Sequence, residues 1–150
     1  MPNDQREITL LAIEQVTQLA ALFGKRRAQL AGRVGLTDAQ WRILEGISTE
    51  HFMPSLFAKE QDNTRGAVSK IIRNLLDKKL VRVSISDEDG RQREYQLTRK
   101  GERTMQRLRE LREKAIGLIW DGLSREDFEA FTRLNGVLIE RMRAYAAKED

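Results

Sequence analysis

Near the start of the chain, Ile8, Leu11, Ala12, Val16, Leu19, Ala20 and Phe23 recur at steps of three and four. That spacing predicts a helix over about residues 5–31. Gly24 does not clearly stop it, whereas Gly32 and Gly35 do. A second helix is predicted from Thr37, where Thr-Asp-Ala-Gln40 has the form of a capping box, and Trp41, Leu44 and Ile47 then share one face. Residues 51–53 have room for a very short strand. A third helix starts near Pro54, which suits a first turn because it lacks an amide hydrogen. It carries Leu56, Phe57 and Ala58 and fails at the polar run Gln61-Asp62-Asn63.

The period then changes twice. Val68, Ile71, Ile72, Leu75 and Leu76 form the apolar stripe of a fourth helix from Thr64 to about Lys78, with Arg65, Ser69, Lys70, Arg73 and Asn74 largely off that stripe. Val81 to Ser86 alternates apolar and polar, as a strand does. Asp87 to Arg91 is a turn containing Gly90, and Glu94 to Leu97 is the returning strand. Thr98 can cap a fifth helix, lined by Met105, Leu108, Leu111, Ala115 and Ile119 and reaching about Trp120; Gly122 breaks it. Ser124 caps a sixth, which has an acidic first turn and carries Phe128, Phe131, Leu134, Leu138, Met142 and Tyr145. There is no internal repeat and no long linker.

The expected class is mainly α with one small β-hairpin. The first, fifth and sixth helices are long, and little other chain is left to cover their apolar stripes. A second copy of the chain is the simplest cover, so a twofold helical homodimer is expected over a monomer whose helices pack on each other. Near-heptad spacing in the last helix favours such a seam.

Composition narrows the chemistry. The 150 residues include no cysteine, so disulfides, thiolate metal sites and cysteine nucleophiles are excluded. One histidine, His51, argues against a histidine-rich metal site and reads as a structural or surface residue. No nucleophile–base pair or metal cluster has a spacing that suggests catalysis, and no cofactor is called for. No apolar run approaches a membrane span. The first residues carry acids early and lack a basic region followed by an oily run, so no signal peptide is read and a cytoplasmic location is expected.

Charge points to a partner. The net charge of +4 is mild, but its placement is uneven. From Thr64 to Arg103 there are 11 Lys+Arg and 6 Asp+Glu, which leaves 16 of the chain's 27 and 17 of its 23 for everything else. The excess lies where the fourth helix and the hairpin lie, an electrostatic footprint for a polyanion. A helix followed by a basic hairpin can meet DNA twice, the helix in the major groove and the hairpin tip at the backbone or the neighbouring minor groove.

The order of elements and the local wording resemble the MarR family of winged helix-turn-helix transcriptional regulators, over nearly the whole chain. Three pieces carry the resemblance: Thr64-Arg-Gly-Ala-Val-Ser-Lys70 as the start of a recognition helix, Leu80-Val81 with its alternation as the strand entering a wing, and Asp89-Gly-Arg91 before the ending Leu97-Thr98-Arg-Lys-Gly101. Lys79 departs from the pattern, standing where many members have a helix-ending glycine, which should strain the cap slightly or shift the helix end.

The resemblance implies a winged helix-turn-helix DNA-binding lobe over residues 36–101, with dimerisation helices over 1–35 and 102–150. It puts Arg65, Ser69, Lys70 and Arg73 toward the major groove, and a phosphate at the amides near Thr64 and Gly66, where glycine lets the backbone come close. Arg91 is the expected wing-tip contact in a minor groove. Arg93 is expected at a phosphate, and Ser55 is a further phosphate candidate. Asp89 is read as an acid that orients an arginine in support of the wing, with a plain turn residue as the other reading. Many relatives bind small aromatic or phenolic molecules between the DNA lobe and the dimer helices. Such an effector is therefore an expected partner class, with Trp41 as its pocket candidate; core packing is the plainer reading of Trp41, and dimer packing that of Trp120.

The expectation is a homodimeric regulator that binds double-stranded DNA at a pseudo-palindrome and represses by occupancy. Two rivals remain at this stage: a helical protein-interaction module with a basic face, and a nonspecific nucleoid-type DNA binder.

Overall fold

The computed structural model describes residues 2–49, 52–61, 63–88 and 90–149. Among the described residues six helices and one hairpin follow in order: α1 (Pro2–Gly32), α2 (Asp38–Ile47), α3 (Pro54–Glu60), α4 (Arg65–Asp77), β1 (Val81–Ile85), β2 (Arg93–Leu97), α5 (Arg99–Trp120) and α6 (Arg125–Glu149). The chain divides into two units, residues 1–112 and 113–150.

Local chemistry sets the helix starts. At α2 the capping box is complete. The Thr37 hydroxyl accepts from the Gln40 amide at 3.1 Å, and the Gln40 side-chain oxygen accepts from the Thr37 amide at 3.0 Å. Pro54 occupies the first turn of α3. The Thr64 hydroxyl accepts from the Ala67 amide at 3.1 Å, and the Ser124 hydroxyl accepts from that of Asp127 at 3.1 Å. Gly35, at φ +74°, turns the chain out of α1.

In the first unit, α2, α3 and α4 close around Trp41, Ile43, Leu44, Ala58, Val68, Ile72 and Leu75, all buried. Ala31 and Leu36 seal one side of this core, and Met105 and Leu108 of α5 the other. Each of the Val, Leu, Ile and Met side chains among them contributes roughly 1.5–3 kcal/mol by leaving water. The apolar residues along most of α1 stay exposed on the single chain, Ile8, Leu11 and Val16 among them.

The hairpin is antiparallel, with Val81 opposite Leu97, Val83 opposite Tyr95 and Ile85 opposite Arg93. The expected alternation is present, but only Val81 at its base is buried, while Val83 and Ile85 remain exposed. The short strand expected at residues 51–53 does not form at Phe52 and Met53; His51 lies outside the described residues. Met53 is extended (φ −121°, ψ 117°), but it serves as the residue before α3 rather than as a strand. Among the described residues the sheet has two strands.

The end of α4 explains how a lysine replaces a glycine. Lys79 adopts φ +59°, the left-handed region. The Leu80 amide donates to the Leu75 carbonyl at 3.0 Å and the Lys79 amide to that of Leu76 at 2.9 Å, which is the bonding of a Schellman cap. The helix end expected at about Lys78 is therefore kept, and the strain falls on one residue. The ammonium of Lys78 then reaches the Gly35 carbonyl at 2.8 Å, and that of Lys100 the Lys78 carbonyl at 3.0 Å, so cations sit just beyond the C-terminal ends of α1 and α4.

In the second unit, Trp120 packs against Phe128 and Phe131, with ring centroids 5.7 and 6.4 Å apart. The other apolar residues expected along α6, Leu134, Leu138, Met142 and Tyr145, are exposed on the single chain. A side-chain hydrogen bond with Glu149, and then slight desolvation, hold the Tyr145 hydroxyl above its usual pKa of 10.0.

Candidate nucleic-acid interface

Two helices and a turn set the candidate surface. The Asn63 amide donates to the Ala58 carbonyl at 2.7 Å and so closes the turn between α3 and α4. Ala58 from α3 and Val68, Ile72 and Leu75 from α4 are buried beneath it. The 3.6-residue period then forces the outer face of α4 into solvent. Arg65, Gly66, Ser69, Lys70 and Arg73 are all exposed there. Thr64 is exposed as well, but its hydroxyl is engaged in capping, so its place is to hold the first turn.

The wing meets this helix. A cleft of about 370 Å³ is lined by Ser55 from α3, Arg65 and Ser69 from α4, and Arg91, Arg93 and Tyr95 from the hairpin. Five of the nine candidate DNA-contact residues thus share one concavity. Thr64, Gly66, Lys70 and Arg73 are outside its lining, on the helix surface beside it. Phe52, which the sequence reading passed over, braces the arrangement. Its ring is edge-on to Tyr95 at 6.1 Å and tilted on Phe57 at 5.6 Å, tying the start of α3 to β2. The strand register places Tyr95 on the same side as Arg93, and no local sequence signal marks Phe52 as its partner.

Four cations of this face stand apart from acids. Among the described residues, Arg65, Lys70, Arg73 and Arg93 have no carboxylate within ion-pair distance. Such a surface attracts polyanions at long range and releases counterions on binding them. A Cβ built on Gly66 would meet nothing within 4 Å, so the free protein does not itself require glycine there. Asp89 lies outside the described residues.

Trp41 is in the core of the lobe at 1% exposure. The Arg27 guanidinium covers its ring at 4.1 Å from the centroid. Arg27 also pairs with Asp38 at 2.7 Å and with Glu45 at 3.6 Å, and Glu45 is held in turn by Arg112 at 3.1 Å. These contacts fasten α1 and α5 to α2. Among the described residues no three His, Cys, Asp or Glu side chains are grouped to hold a metal ion, and no helix is long and apolar enough to cross a membrane.

Comparison with known proteins agrees with this geometry. The model of the MarR family matches residues 34–92, which run from the end of α1 through α2, α3 and α4 to the tip of the wing. No curated protein matches the chain significantly by sequence. Solved structures with the same fold are plentiful. A MarR family transcription regulator is 22% identical with a TM-score of 0.85, over 99% of this chain and 98% of that one. AbsC, a MarR family transcriptional regulator from Streptomyces coelicolor, is 22% identical with a TM-score of 0.75, over 90% and 94%. MepR of S. aureus, solved as a complex with DNA, is 18% identical with a TM-score of 0.72, over 85% and 94%. Likeness at these identities establishes the winged helix-turn-helix fold, and over residues 34–92 the chain is similar to the MarR family.

Proposed function

We propose that this chain acts as a homodimer that binds a pseudo-palindromic DNA duplex and represses transcription by occupying it. The observation that carries the reading is the cleft in which Arg65 and Ser69 of α4 stand beside Arg91 and Arg93 of the wing. A helix and a hairpin that share one basic surface can follow a duplex from major groove to adjacent minor groove. Arg65 and Arg73 read base edges, with the fork that matches the two acceptors of guanine. Ser69 and Lys70 serve base edges or phosphates. Ser55, Arg93 and the amides near Gly66 hold the backbone, and Arg91 enters the minor groove, supported by Asp89. The exposed apolar stripes of α1 and α6 support a second copy as their cover, with residues 1–35 and 102–150 forming the dimer. The MepR complex with DNA lends the same support by analogy of fold.

The protein works without catalysis and in the cytoplasm. A small aromatic or phenolic effector, where one exists, releases the duplex by favouring a dimer whose two lobes no longer match the half-site spacing. Selection of bound duplexes from a random pool tests the reading. Enrichment of an inverted repeat with half-sites about one helical turn, roughly 10 base pairs, apart is the expected result. A pool that stays random through successive rounds contradicts it.

A further inference from the structure

A second and larger cleft, of about 920 Å³, is lined at the hairpin by Arg82 and Gln96, on the opposite face from Tyr95 and Arg93, and by Leu97 at the hairpin's base. Its rim carries four guanidiniums, from Arg82 on β1 and from Arg99, Arg103 and Arg109 on α5. Ile47, Leu97 and Met105 lie beneath them. Glu102 is the one carboxylate in the lining, against those four charges.

The partners of these arginines differ from those of the chain's ion-paired arginines. Arg27, Arg112 and Arg125 are each within 4 Å of a carboxylate, on Asp38, Glu45 and Glu129 respectively. In the cleft, glutamine takes that place. Arg82 donates from Nε and Nη2 to the Gln96 side-chain oxygen at 3.1 and 2.8 Å. Arg109 donates from the same two nitrogens to that of Gln106 at 3.2 and 2.9 Å. An amide oxygen orients a guanidinium without neutralising it, and it leaves Nη1 free to donate. Among the described residues none of the four has an ion-pair partner, and Arg99 and Arg103 have no side-chain hydrogen bond at all. Four like charges held together repel one another, and an anion seated between them removes that cost.

Position separates this cleft from the surface assigned to DNA. Arg82 and Gln96 are one pair from the base of the hairpin and point away from the face that carries Val83 and Tyr95. Arg91 and Arg93, at the tip and on the other face, line the other cleft.

We propose that the cleft between the outer face of the hairpin and α5 binds a small organic or inorganic anion carrying two or more phosphate or carboxylate groups. The inference does not rest on duplex binding. Calorimetric titration of the full chain with pyrophosphate, and separately with citrate, at fixed ionic strength tests it and distinguishes the two acid types. Saturable binding of at least one is expected. It should weaken by about tenfold or more in the double variant Arg99→Gln/Arg103→Gln and stay unchanged in Arg65→Gln. The double variant should keep the duplex affinity of the parent, while Arg65→Gln should lose it. Should the double variant fail to fold, Arg103→Gln alone carries the same comparison. No saturable binding of either anion, equal binding by the α5 variants, or loss of duplex and anion affinity together in those variants would overturn the proposal.

Discussion

Thr98 donates its hydroxyl to the carbonyl oxygen of Lys79 at 2.6 Å and accepts from the Gly101 amide at 3.0 Å. One side chain thus joins the end of α4 to the start of α5 across the base of the wing. The Thr98 amide adds a bond to the Leu80 carbonyl at 3.0 Å. These bonds hold α4 to the wing and α5, and the junction contains one strained residue and one close contact.

Lys79 carries the strain. A left-handed backbone costs an L-residue about 1–2 kcal/mol, and a glycine there gives back roughly 0.5–1 kcal/mol through its freer unfolded chain. Lys79→Gly should therefore raise stability by about 0.5–1 kcal/mol, and Lys79→Val should lower it, because a branched side chain suits that region least. Denaturant melts of the two variants check the opposite signs.

Gly101 carries the close contact. A Cβ at this position would collide with the Leu80 carbonyl oxygen, which is backbone and cannot swing aside. Gly101→Ala should cost about 3 kcal/mol, the upper end for overpacking, because the sheet must shift to make room. A thermal midpoint unchanged from that of the parent would contradict the geometry.

Arg27 is expected to stabilise through its ring contact as well as through its charge pairs. Over Trp41 the guanidinium is worth about 0.5–2 kcal/mol, and the partly exposed pairs to Asp38 and Glu45 add up to about 1 kcal/mol. Arg27→Ala should lose about 1–3 kcal/mol in all. Urea melts in low and high salt check this: most of the loss should persist in high salt, since screening acts mainly on the exposed pairs.

Gly66 separates free stability from binding. Alanine has open space there and is the better helix former, so Gly66→Ala should keep or raise stability, by up to about 1 kcal/mol. Its methyl should nonetheless weaken duplex binding if the first turn of α4 approaches a phosphate closely. Gel shifts and a melt on the same preparation give both readings. The neighbouring arginines should divide by role. Arg65→Ala or Arg73→Ala should cost about 1–3 kcal/mol on the preferred duplex and relax the sequence preference. Arg91→Ala should lower affinity more evenly across sequences.

Much of this fold could be read from sequence where one residue decides one local bond. Thr37, Pro54, Thr64, Thr98 and Ser124 each mark a helix start, because capping is settled within four residues. The hairpin could be read from its alternation and its glycine turn. Whether a face is covered could not: Val83 and Ile85 keep the period of a strand yet remain exposed, since period gives the side and not the neighbour. Phe52 and Met53 look like strand residues, but ring packing and the start of α3 claim them. That Arg65, Ser69, Lys70 and Arg73 share an exposed face of α4 was legible through the period of its apolar stripe. The grouping of Arg82, Arg99, Arg103 and Arg109 was not, because only the fold brings residues of β1 and α5 to one cleft.

Two copies should present their basic helices and wings at a separation matched to duplex pitch. Sedimentation of the protein with its enriched duplex, and with the same duplex lengthened by about half a turn between half-sites, tests this most directly. Two chains per duplex on the first, with binding largely lost on the second, is the predicted result. One chain per duplex, or equal binding to both spacings, would contradict it.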